Sequence, residues 1–181
     1  MGSTLTSIMK LILVPGLLAL ALTTSFAAEP QFGLGLDYGV YLPTSASLKT
    51  AFGKQWTRIG ISPVSISKSK NTRFDFDMNI ISRSQNGNRL TMYVPSFGLV
   101  TGLKNEQDIA PYFALRGGPT YVDYRISSVS KREWLVNTNA ELGFTVRDRL
   151  RFYARYDLFT KRNGLDFSGF SINASVLAFR F

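Results

Sequence analysis

The chain has 181 residues, 21 Lys+Arg against 12 Asp+Glu for a net charge of +9, and neither cysteine nor histidine. The missing cysteines exclude a disulfide framework and thiolate chemistry. The missing histidines exclude His-dependent catalytic triads and the commonest metal ligand. A basic balance raises nucleic acid as a partner, but the charges are dispersed along the chain, and the N-terminus argues for export.

That N-terminus has the layout of a secretory signal peptide over 1–27: Lys10 precedes an apolar run at 11–22, broken only by Pro15-Gly16, and Ser25 and Ala27 supply the small residues of a cleavage site. A run this short does not reach the roughly 20 residues needed to cross lipid as a helix. Lys10 is the only charge in the segment, so residues 28–181 carry +8. With export, anionic lipid headgroups are a better-matched partner than DNA or RNA.

From Gln31 onward, apolar and polar residues alternate with a period of two, the signature of strands with one apolar face. Phe32, Leu34, Leu36, Tyr38, Val40 and Leu42 oppose Gln31, Gly33, Gly35, Asp37 and Gly39 in the first such run. Phe74, Phe76, Met78 and Ile80 oppose Arg73, Asp75, Asp77 and Asn79 in the third. Leu142 and Phe144 oppose Glu141 and Thr145 in the sixth, and Phe152 and Tyr156 oppose Arg151, Arg155 and Asp157 in the seventh. Asn86-Gly87 and Asn163-Gly164 are hairpin signals. Residues 68–71, 104–108 and 147–149 are polar breaks. The pattern predicts strands at about 31–42, 55–66, 72–82, 89–102, 110–126, 133–146, 150–160 and 167–181. Gly117-Gly118-Pro119 interrupts the fifth strand, as a bulge or as a split in two; Pro95 disturbs the fourth, and the last changes phase between Ile172 and Leu177.

Phe32, Phe74, Phe113 and Phe152 open the odd-numbered strands on the apolar face, with Phe179 and Phe181 ending the last at the same rim and Trp134 at the opposite one. Aromatic girdles at two interfaces and strands of about 11 residues match a tilted membrane crossing. The predicted fold class is therefore all-β: an eight-stranded antiparallel up-and-down transmembrane β-barrel. Its polar face carries Asp37, Asp75, Asp77, Asp123, Glu141 and Asp157 against Arg58, Arg116, Arg125, Arg151 and Arg155, a near-balanced set suited to ion pairing in a confined lumen. Asp75-x-Asp77 has spacing compatible with Ca²⁺ or acid–base work, but structural pairing with arginine is the expected role. No cofactor site and no catalytic residue are expected.

The chain resembles the small OmpA-transmembrane/OmpX-like family of outer-membrane barrels over nearly all of 28–181. The residues that carry the resemblance are the terminal strand 175–181, SVLAFRF, and the Pro111-Tyr112 pair opening the fifth strand. It implies localisation to the bacterial outer membrane and recognition of Phe179 and Phe181 by the outer-membrane assembly machinery. Three roles stay open: a structural or surface-interaction protein of the envelope, a narrow channel, and a soluble periplasmic lipocalin-like barrel with an apolar ligand. In the membrane topology the loops after odd-numbered strands face outward. Their basic residues, Lys49, Lys54, Arg83, Arg89, Lys131, Arg132, Lys161 and Arg162, form a collar expected to meet lipopolysaccharide phosphates.

Overall fold

In a computed structural model, which describes residues 33–63, 72–102, 109–147 and 149–180, the chain closes into a single antiparallel barrel. In chain order the elements are β1 (Gly33–Pro43), α1 (Ala46–Phe52), β2 (Trp56–Pro63), β3 (Thr72–Gln85), β4 (Asn88–Thr101), β5 (Ile109–Ile126), β6 (Val129–Val146), β7 (Leu150–Phe159) and β8 (Gly169–Arg180). Each strand pairs with its sequence neighbours, and β8 returns to β1, so the sheet has no free end. The predicted signal segment, Phe32, the breaks at 68–71 and 104–108, Asp148 and Phe181 lie outside the described residues.

Local chemistry explains the tight connections. Asn86 and Gly87 both take positive φ, 50° and 78°, the turn that matches strand twist in a two-residue hairpin. Ser127-Ser128 makes an equally short turn between β5 and β6, so β6 begins four residues before its predicted start. At Gly39 a Cβ would collide with the Asn173 side chain and the Ile172 carbonyl of β8, so the missing side chain leaves room for Asn173 to turn into the lumen.

The irregular strands resolve differently from expectation. β5 runs unbroken from Ile109 to Ile126, in constant register with β6, so Gly117-Gly118-Pro119 is neither a bulge nor a break. β4 also keeps one register with β5 on either side of Pro95. The phase change in β8 is real: Leu34 faces Phe179 while Gly35 faces Leu177, leaving Ala178 as an extra residue.

Outward-facing side chains are apolar and exposed: Phe74 is 71% exposed, Trp134 68% and Leu142 65%. A soluble barrel turns this face inward, and a continuous exposed apolar band of this kind marks contact with lipid. On β6 the outward residues run from Phe144 to Trp134. Ten residues at about 3.3 Å each, tilted by about 40°, span about 25 Å, the height of an outer-membrane apolar band. No helix among the described residues is long and apolar enough to cross a membrane.

Candidate functional site

The interior is stacked in two tiers. The lower tier, toward the chain termini, is a network of buried charges. Arg58 on β2 donates through Nη1 to Asp157 Oδ2 at 2.6 Å and through Nε to Asn79 Oδ1 at 3.0 Å. Arg155 on β7 donates through Nε to Asp157 Oδ1 at 2.8 Å and through Nη1 to Asp77. Arg116 on β5 lies 3.1 Å from Glu141, 3.3 Å from Asp75 and 3.6 Å from Asp77. The Tyr112 hydroxyl donates to the other Glu141 oxygen at 2.7 Å. Arg151 donates to Asp37 at 3.2 Å and to Ser62, with its guanidinium 5.0 Å from the Tyr153 ring centre.

Nine of the predicted lumen charges therefore sit together: Asp37, Asp75, Asp77, Glu141 and Asp157 with Arg58, Arg116, Arg151 and Arg155, all buried. Arg73, 3.9 Å from Asp75, joins them at the lower edge and brings the two signs level. Each carboxylate has a guanidinium partner, so both acids of Asp75-x-Asp77 are counter-charged. No group of three or more metal-ligating side chains occurs among the described residues.

Two predicted lumen residues are elsewhere. Asp123 and Arg125 alternate onto the outward face of β5, because that strand keeps its phase through the Gly-Gly-Pro segment. Above that segment the inward positions are Thr120, Val122 and Tyr124. Asp123 instead reaches Arg132 at 3.4 Å and Arg89 at 4.0 Å on the neighbouring strands.

The upper tier, at the loop end, is apolar. Tyr41, Trp56, Ile81, Leu90, Met92, Val94, Val122, Tyr124, Leu135, Phe159 and Phe167 converge inside the wall, and α1 lowers Leu48 and Phe52 onto them. Three donors satisfy carbonyls at the C-terminal end of α1: Asn88 Nδ2 to Ala51 at 2.8 Å, Arg83 Nε to Phe52 at 3.1 Å, and Trp56 Nε1 to Gly53 at 2.9 Å. Sequence periodicity does not reveal this plug, since on β4 both faces are apolar. The one available signal is Leu48 and Phe52 at helical i, i+4 spacing.

Of the collar, Lys49, Lys54, Arg89, Lys131, Arg132, Lys161 and Arg162 are exposed at the loop end. Arg83 is not a collar residue: it faces inward, half-buried, and holds α1. Lys161 lies 3.6 Å from Asp166. Outward at this rim, Tyr93, Tyr121 and Trp134 form a ring ladder across β4, β5 and β6, with centroids 6.2 and 5.2 Å apart. At the opposite rim Phe144 packs on Phe152 at 5.5 Å, and Phe179 is exposed on the outward face.

The sequence matches no family model and no curated protein. Among solved structures, Neisserial surface protein A (NspA) is similar with a TM-score of 0.59 at 12% identity, covering 82% of this chain and 97% of that one. The chain has the fold of this small barrel. The Yersinia pestis outer-membrane protein Ail in a phospholipid bilayer nanodisc matches with a TM-score of 0.47 at 11% identity, over 80% of this chain and 97% of that one. Ail in complex with the heparin analogue sucrose octasulfate matches at 0.45 and 12%, over 80% and 95%.

Proposed function

We propose that this protein is a non-enzymatic β-barrel of the bacterial outer membrane that acts by contact at its loop end. The carrying observation is the combination of an exterior apolar band about one outer membrane tall with an interior filled by paired charges and an apolar plug. Such an interior leaves the barrel wall and its loops to interact with other molecules. It supports the envelope-interaction role over a channel, and the outward apolar face opposes a lipocalin-like ligand cavity. In this reading residues 1–27 direct export, and Phe179 with Phe181 present the terminal strand to the assembly machinery.

The partner we assign to the collar is lipopolysaccharide, whose phosphates would accept charge-assisted hydrogen bonds from the exposed Lys49, Lys54, Lys131, Lys161 and Arg162. The test replaces these five with Gln and measures lipopolysaccharide co-purifying with the native barrel at low and moderate salt. Retention should fall in the variant, and the wild-type signal should weaken with salt, as surface ion pairing requires. Unchanged retention would remove the collar's role.

A further inference from the structure

The outward faces of β4, β5 and β6 carry an arrangement that the barrel itself does not explain. Arg89 and Arg125 are direct cross-strand partners, a like-charged pair that disfavours the sheet unless an anion lies near. Arg132, cross-strand from Asp123, adds a third guanidinium; Arg132 and Arg89 share the one Asp123 carboxylate, while Arg125 donates to the Ser127 carbonyl at 3.2 Å. All three arginines are exposed, Arg132 and Arg89 with 74% and 65% of their side chains accessible.

Directly below, in the direction of the bilayer, lie the ring faces of Tyr93, Tyr121 and Trp134. Two rungs further down the same strands, an open groove of about 570 Å³ begins at the Gly117–Thr138 pair. Gly117, Thr138 and Ala140 form its floor, where small side chains leave the wall indented. Phe97 and Leu115 bound it on one side, Tyr156 and Leu158 on the other. Trp134 to Thr138 is about 13 Å along the strand, so the groove lies inside the apolar band, where any occupant is hydrocarbon or protein.

We propose that this strip binds one phosphorylated, acylated glycolipid of the outer leaflet, the lipid A class. The arginines take a phosphate, the aromatic ladder receives the sugar, and one acyl chain fills the groove. This rests on the outer-membrane reading above and takes only Arg89 and Arg132 from the collar, neither of which the five-residue collar variant changes. The unbalanced guanidiniums call for an anion, the ladder offers flat rings to a sugar, and the groove calls for a chain. A lone phospholipid would leave the ladder unused, and a second copy of this barrel would bring the same positive rim against itself across a symmetric contact.

The test uses the full-length barrel, folded in detergent with bisphosphorylated lipid A and phosphatidylglycerol in equal amounts and analysed by native mass spectrometry. The wild type should retain lipid A at one per barrel in preference to phosphatidylglycerol. Arg89→Gln with Arg125→Gln should lower that retention about tenfold, the loss of one or two charge-assisted contacts. Thr138→Leu with Ala140→Phe should fill the groove and lower it similarly, while the protein keeps its folded, heat-sensitive migration on gels. Full retention in the groove variant overturns the proposal, as does equal retention of phosphatidylglycerol. A groove variant that only shifts a dimer to monomer overturns it in favour of a protein contact. Loss of lipopolysaccharide in the collar variant with none in the groove variant leaves the collar reading standing and removes this site; full retention in both removes both.

Discussion

Glu141 is held on both oxygens, by Arg116 and Tyr112, and Arg155 lies 3.9 Å away. Replacing it with Ala leaves the buried network with one positive charge in excess and the Tyr112 hydroxyl without its acceptor, which costs about 3–5 kcal/mol. One residue along, Leu142 points outward and is 65% exposed. Leu142→Arg places a charge against lipid one rung inside the Phe144 rim, at a cost between the about 0–1 kcal/mol of an interface and the about 2–4 kcal/mol of the midplane. The two should separate by assay. Glu141→Ala should insert and show a lowered urea midpoint in liposomes, whereas Leu142→Arg should reduce the inserted fraction itself. Equal insertion of both would mean that the faces are assigned the wrong way round. At this scale the sequence is legible wherever alternation is clean, and there nine of the expected lumen charges lie on the inward face. Asp123 and Arg125 were misplaced because Gly117-Gly118-Pro119 looks like a phase break, and nothing local reveals that the paired neighbours hold β5 in register through it.

Strands were readable to within a few residues because turn chemistry punctuates them, as at Asn86-Gly87. β6 started early because Ser127-Ser128 carries no glycine or asparagine to mark its turn. The α1 plug leaves only the Leu48–Phe52 spacing as a sign in the sequence: seven residues are too few to show periodicity, and Ser45 at its N-cap makes no side-chain cap bond. Its stability comes instead from tertiary contacts, above all Phe52, fully buried and edge-on to Trp56 with ring centroids 6.0 Å apart. Phe52→Ala should therefore cost about 3–5 kcal/mol through the cavity it leaves. Because that contact belongs to one loop, the loss should appear first as local opening. Hydrogen exchange at residues 46–56 should accelerate strongly while amides of β7 stay protected. Uniform acceleration over the barrel would show instead that the plug and wall unfold as one unit.

At the scale of the whole molecule, closure decides how the protein resists denaturation. In an open sheet the edge strands present unpaired backbone groups where unfolding begins. Here β1 pairs with β8 over Gly33 to Pro43, so every strand has two hydrogen-bonded neighbours and separation of one requires two ladders to break together. Within the apolar band there is no water to replace those bonds, and each unsatisfied group costs several kcal/mol. Inside, the ion pairs tie strands far apart in sequence: Arg58 to Asp157, 99 residues away, and Arg151 to Asp37, 114 away. The inserted barrel should therefore stay folded in SDS at room temperature and unfold on boiling, giving two gel positions. Phe179 extends the same argument to assembly, since it sits outward beside the extra residue Ala178 where β8 closes on β1. Phe179→Asp should lower the amount of the fast-migrating, folded form in outer-membrane fractions, while a matched change at exposed Ser84 leaves it unchanged. Identical migration before and after boiling, from membrane-inserted protein, would contradict both the closed ring and the membrane reading built on it.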